Sequence, residues 1–198
     1  AKPGQLVYVN YDGIHSTSTG SEQVIANRVY GNTNAGILSA WYDQVDGNYV
    51  YSNSIGISAS ASAQVINNLV YANTNHGIRF QNGYIASGHR PSIINNTVFQ
   101  EVGDAVRLES SSRDVVLRNN ILWVNAGHGV FAATDSQSNI DSDRNLFTRG
   151  PDPSMPNVAA LTGFWNGADQ ATLADWRTAS SLGAGSVEGD PGFLDTDG

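Results

Sequence analysis

Apolar residues recur along this chain in short clusters, never in long runs, and Asn, Gly or Ser separate the clusters. One phrase repeats: NRVYGNTNAGI from Asn27, NYVYSNSIGI from Asn48, NLVYANTNHGI from Asn68, NTVFQEVGDAV from Asn96, NILWVNAGHGV from Asn120, and a partial NLF from Asn145. The opening Asn positions (27, 48, 68, 96, 120, 145) lie 21, 20, 28, 24 and 25 residues apart. Aligned on that Asn, three apolar columns emerge. Val24, Val45, Val65, Ile93 and Leu117 precede it by three residues, and Val29, Val50, Val70, Val98 and Leu122 follow it by two. Ile37, Ile57, Ile78, Val106 and Val130 follow it by eight to ten, almost always behind a Gly. Short β-branched segments bounded by turn residues predict strands. A unit this small cannot bury its apolar face alone and must stack on its neighbours, as in a solenoid. Three strands per turn predict an all-β fold, a parallel β-helix. No stretch of ten or more residues with helical periodicity occurs before residue 170, and the calcium-binding nonapeptide GGxGxD is absent.

The Asn column has a physical rationale. Equivalent residues on neighbouring coils lie one strand spacing apart, about 4.8 Å. Stacked amides at that spacing donate to and accept from each other, and Asn also tolerates left-handed backbone geometry. A second Asn column holds Asn32, Asn53, Asn73 and Asn125, with Glu101 interrupting it. A third column is aromatic: Tyr30, Tyr51, Tyr71, Phe99 and Trp123. So much apolar area is expected to be covered, in the core or beneath the C-terminal segment.

Charge narrows the partners. The chain carries 18 Asp+Glu against 10 Lys+Arg, a formal net charge of -8, which argues against a nucleic-acid phosphate surface. No apolar run approaches the roughly 20 residues that span a bilayer, and there are no cysteines.

The Asn-turn and Gly-Ile repeats over residues 10–147 resemble the right-handed parallel β-helix superfamily of pectate lyases, alginate epimerases and related carbohydrate-active proteins. The stretch TLADWRTASSLGAGSVEGDPGFLD resembles the segment that follows the coils in secreted bacterial members, where a short Trp-containing helix leads to a D-P-x-F turn. The resemblance implies coils over residues 1–147. It also implies a loop-rich segment over 148–198 that packs on them in one structural domain. In that segment residues 148–168 read as a long loop and 170–179 as a short helix. Both ends read as cuts through a larger solenoid.

Substrate in this superfamily lies across one parallel sheet and its loops. Period-two alternation beside the Gly-Ile segments predicts an outward column of His15, Leu38, Ser58, Arg79, Arg107 and Phe131. The residues before the Gly positions are Asp12, Ala35, Ile55, His76, Asp104 and His128. The catalytic candidates are therefore His76, Arg79, Arg107 and His128. The substrate-binding candidates are Asp104, Glu109 and the insertion residues Tyr84, His89 and Arg90. Arg forks match uronate carboxylates, and a neighbouring base could take the C5 proton for β-elimination or epimerisation. The same Arg and Asp could instead pair with each other. The epimerase motif YGFDPH is absent, and Lys2 is the one lysine. Calcium is the one cofactor with a candidate site, at Asp141 and Asp143 in DSDRN, where alternate oxygen ligands fit the ion.

The expectation is an extracellular or cell-surface, secreted domain that interacts with uronate-containing acidic polysaccharide and either cleaves it, epimerises it or only binds it. Whether it is an enzyme stays open. The other reading is a non-catalytic structural or adhesive segment of a large bacterial surface protein, in contact with flanking segments or with copies of itself through the solenoid ends.

Overall fold

The apolar clusters form the strands of three stacked sheets in the computed structural model, which describes residues 3–16, 20–86 and 88–193. Among these residues the first sheet has eight strands, from Leu6–Tyr8 and Arg28–Tyr30 through Tyr49–Tyr51, Leu69–Tyr71, Thr97–Gln100, Ile121–Val124 and Leu146–Arg149 to Val187–Glu188. The second sheet runs from Ile14–His15 through Ala35–Ser39, Ile55–Ala61, His76–Gly83, Asp104–Glu109 and His128–Ala132 to Leu161–Trp165. One antiparallel strand, Ala168–Gln170, pairs with the last of these. The third sheet has six strands, Gln23–Ile25, Gln44–Asp46, Gln64–Ile66, Ser92–Ile94, Val116–Arg118 and Asp141–Asp143. Within each sheet the named strands are otherwise parallel and neighbours are one coil apart. This is a parallel β-helix.

The three apolar columns face inward. Val29, Val50, Val70 and Val98 are in register, as are Ile57, Ile78 and Val106, and all are buried. Burying one such side chain contributes about 1.5–3 kcal/mol. The coils continue past residue 147, because Leu161–Trp165 and Val187–Glu188 extend two of the sheets.

The Asn column is a continuous hydrogen-bond ladder. The backbone N–H of Asn27 donates to Asn48 Oδ1, and the pattern passes through Asn68, Asn96 and Asn120 to Asn145 at 2.9–3.0 Å. Each side-chain amide repeats the contact, so buried amides are satisfied without water. Left-handed geometry falls on the residue before each of these Asn: Ala26, Gly47, Asn67, Asn95, Asn119 and Arg144 have φ between 55° and 65°. The ladder Asn is therefore selected for its amide, and its predecessor makes the turn. The second column runs Asn10, Asn32, Asn53, Asn73 and then Gln100, whose Oε1 accepts the Asn73 N–H at 3.2 Å. Glu101 does not interrupt it. The strand Thr97–Gln100 is one residue longer than its predecessor, and the longer Gln side chain spans the difference.

The tyrosines correct an expectation. Tyr8, Tyr30, Tyr51 and Tyr71 stack at 4.9–5.2 Å on the outer face of the first sheet, half-buried or exposed, neither in the core nor under the C-terminal segment. They follow inward-facing valines by one residue, so alternation turns them outward. Trp123 is the member that the C-terminal segment covers, with Phe193 stacked on it at 5.8 Å.

The helix Leu173–Ser180 starts at a Thr172/Asp175 capping box. Its Leu173 and Trp176 are buried, and Trp176 packs edge-on to Trp165 at 5.5 Å. A Cβ on Gly163 would strike the Trp176 ring, so only glycine lets the helix sit this close to the second sheet.

Candidate functional site

The patch lies where the second-sheet strands begin. Register places His76 beside Asp104, and Arg79 between Ser58 and Arg107, which in turn faces Phe131. Parallel stacking of identical segments thus brings residues 21–28 positions apart in sequence into adjoining places.

Asp104 is the hub, with a side chain 6 % exposed. Its Oδ2 accepts from Arg107 Nη1 at 2.8 Å, and its Oδ1 lies 2.8 Å from His128 Nδ1. Arg107 also donates through Nε to Glu109 Oε2 at 2.7 Å, and its guanidinium lies over the Phe131 ring at 3.9 Å. Glu109 accepts in addition from Gln81 Nε2 at 3.1 Å. His128 reaches Asp169 Oδ1 through Nε2 at 3.0 Å. Phe131 and Phe164 stack at 4.5 Å and present edges to the imidazole.

Arg79 differs from Arg107. Its one hydrogen-bond partner is Ser58 Oγ, 3.1 Å from Nη2, and its buried Nε has none. Among the described residues it has no carboxylate partner. His76 Nδ1 is also buried without a hydrogen bond, 3.7 Å from Asp104 Oδ2.

The two histidines are driven apart. Burial lowers the His76 pKa below its ordinary value of 6.5, and Asp104 only partly offsets this. Burial also acts to lower His128, but hydrogen bonds to Asp104 and Asp169 outweigh it and raise the net value. Burial acts to raise Asp104, yet His128 and Arg107 bring its carboxyl below the ordinary carboxylate value. Arg107 is raised: burial opposes its charge, and Glu109 and Asp104 more than restore it. The patch therefore holds two imidazoles shifted in opposite directions and two guanidiniums, of which Arg107 is paired with carboxylates. Groups whose environments push their pKa values apart can serve as an acid and a base.

The insertion residues are not part of this patch. The strand His76–Gly83 is eight residues long, so its loop leaves about 20 Å from His76. Tyr84 lies near the Arg113 guanidinium, Arg90 donates to the carbonyls of Asp114 and Asn139, and His89 sits against Tyr42. The 28-residue Asn interval marks the insertion, but not that part of it lengthens the strand and sends the loop towards the third sheet.

Asp141 and Asp143, the calcium candidates, are each held by groups of the chain itself. Asp141 Oδ1 accepts from Arg118 Nε and Nη2, at 3.0 and 2.7 Å, and Asp143 Oδ1 accepts from the Gly185 N–H. A guanidinium on the carboxylate opposes a cation there, and no group of metal-ligating side chains occurs among the described residues.

Phe164 and Asp169 are the site residues that sequence reasoning missed. They flank Asn166-Gly167, both with positive φ (52° and 78°), the dipeptide of a tight hairpin turn. Read as part of a Pro- and Gly-rich loop, that turn and its two strands were hidden.

A family model described as right handed beta helix region matches residues 5–147. No curated protein and no solved structure matches the chain.

Proposed function

The chain belongs to the right-handed β-helix family, and from that premise we propose that it is an extracellular domain that binds uronate-containing polysaccharide across its second sheet. The observation that carries this reading is Arg79, a half-buried guanidinium with no carboxylate partner among the described residues, one coil from Arg107. A uronate carboxylate supplies the counter-charge that Arg79 lacks, in the bidentate geometry guanidinium favours. Arg107, held by Asp104, Glu109 and Phe131, is the support against which Arg79 is positioned.

The same patch suits proton transfer at the bound sugar. His76, whose pKa is lowered, takes the C5 proton, and the electron pair forms the C4–C5 double bond. The C4–O bond breaks, and the leaving oxygen takes a proton from His128, whose pKa is raised. Return of a proton to the opposite face of C5 gives epimerisation instead.

The test is a titration of the chain with hexagalacturonate and hexaguluronate, followed by ultraviolet absorbance for unsaturated product. Arg79→Ala is expected to weaken binding about tenfold or more, as the loss of a charged hydrogen-bond pair does. Absence of binding to either oligomer, or binding indifferent to Arg79→Ala, rejects the reading. Binding without unsaturated or epimerised product leaves a recognition module. A structural, non-catalytic segment is the second reading, and the self-pairing of Arg107 with Asp104 and Glu109 favours it.

A further inference from the structure

A second cleft opens on the outer face of the third sheet. Its volume is about 350 Å³, and Ser21, Tyr42, Gln44, Gln64 and His89 line it. Register stacks Gln23, Gln44 and Gln64 on consecutive coils. Gln23 Nε2 donates to Gln44 Oε1 at 3.5 Å, and Gln44 Nε2 donates to Asp46 Oδ2 at 3.1 Å. The Gln64 amide, next in the stack, makes no hydrogen bond to another described residue. Among the described residues the His89 ring likewise makes no hydrogen bond, and it lies against the Tyr42 ring at 5.8 Å and 59°. The insertion loop brings His89 here, from the far end of the long second-sheet strand.

These groups fit one ligand chemistry. A primary amide with a free donor and a free acceptor matches neighbouring hydroxyls, which are themselves donor and acceptor. The tilted rings of Tyr42 and His89 form an apolar wall for the C–H face of a pyranose, with His89 offering one more polar atom. Among the described residues no Arg or Lys lines the cleft, and Asp46 stands beside Gln44. A carboxylate-bearing sugar would meet that aspartate with no cation to offset it. A cavity of this size, with a few polar groups converging over aromatic rings, is the usual form of a small-ligand site.

We propose that this cleft binds an uncharged hexopyranose unit of a glycan, through the Gln64 amide and the Tyr42–His89 wall. The site is separate from the Arg79 patch. It shares with that reading only the idea that the ligand is a glycan, and it stands or falls without it.

The experiment is calorimetric titration of the whole chain with cellohexaose, mannohexaose and hexagalacturonate. The chains compared are the unaltered protein, Gln64→Ala, His89→Ala and Arg79→Ala, with far-ultraviolet circular dichroism to verify the fold of each. A neutral hexamer is expected to bind, to lose about tenfold in affinity in each cleft variant, and to be unaffected by Arg79→Ala. Which of the two neutral hexamers binds identifies the hydroxyl pattern read. Failure of both to bind overturns the proposal, as does binding that survives both cleft substitutions. So does hexagalacturonate binding that Gln64→Ala abolishes. Failure of hexagalacturonate alone rejects the Arg79 reading and leaves this one intact.

Discussion

One oxygen of Asp104 holds both the main chain and the ring of His128. Oδ1 accepts the His128 backbone N–H at 3.1 Å and lies 2.8 Å from Nδ1. The other ring nitrogen faces Asp169 at 3.0 Å. With carboxylates at both nitrogens, only the imidazolium satisfies both contacts as a donor. The last hairpin is thereby tied to the coil through a proton.

That proton has a signed effect on stability. The pKa of His128 is raised in the fold, so its contribution is complete below the ordinary 6.5 and is lost as pH rises through the elevated value. His76, lowered in the fold, acts in the opposite sense: its protonation opposes folding, and stability recovers as pH rises through 6.5. In the unaltered chain the two partly cancel. Thermal unfolding from mildly acid to mildly alkaline pH should show a steeper loss of Tm with rising pH in His76→Gln and a reversed slope in His128→Gln. Equal slopes in the two variants would contradict the assignment. Asp104 adds a separate loss in acid, since its lowered value stabilises the fold above 3.8 and fails as pH falls through the depressed value.

Asn96 sits in the middle of the buried ladder. It accepts from Asn68 through Oδ1 and donates through Nδ2 to Asn120 and to the Val65 carbonyl. Asn96→Ala removes the acceptor of the Asn68 N–H and amide and the donor to Asn120 Oδ1 and the Val65 carbonyl, and is expected to cost about 3 kcal/mol. Urea unfolding measures it. A loss below 1 kcal/mol, on the order of one surface hydrogen bond, would mean that water enters and replaces the amide.

Gly103 and Gly31 both have positive φ, 76° and 66°. A Cβ on Gly103 would overlap the Asn75 carbonyl, whereas one on Gly31 meets nothing within 4 Å. Gly31→Ala should cost about 1 kcal/mol from backbone strain alone. Gly103→Ala must displace the neighbouring coil, and soluble yield and Tm should both fall much further. Similar Tm values for the two variants would show that the coils can part there.

Trp176 closes one end of the core and is fully buried. Trp176→Ala removes its contacts with Trp165 and Gly163 and should cost about 3–5 kcal/mol, the range for deleting a buried large aromatic. Limited proteolysis is expected to cut first within residues 166–186 of the variant. Cleavage that begins in the central coils would show that this end is not the first part to open.

The fold was legible because the same residue type returns to the same place on each coil. Val50 and Val70 occupy equivalent places, and a column of such residues states its own register. His76, Asp104, Arg107 and His128 could be grouped for the same reason. What lay outside the repeat was hidden. The 28-residue interval from Asn68 to Asn96 reveals an insertion, but not that it lengthens the strand to Gly83 and so carries His89 away from His76. Gln100 takes a ladder place by length of side chain, a match of shape that alignment by residue type passes over. Asp169 reaches His128 by an antiparallel hairpin, which breaks the parallel rule from which every other neighbour was inferred.

Every main-chain N–H of the Asn27-to-Asn145 column donates the same way along the axis, and the last donates to Ser186. Their dipoles add, and each bond polarises the next. The rod consequently has a head and a tail, with carbonyl oxygens leading one way and N–H groups the other.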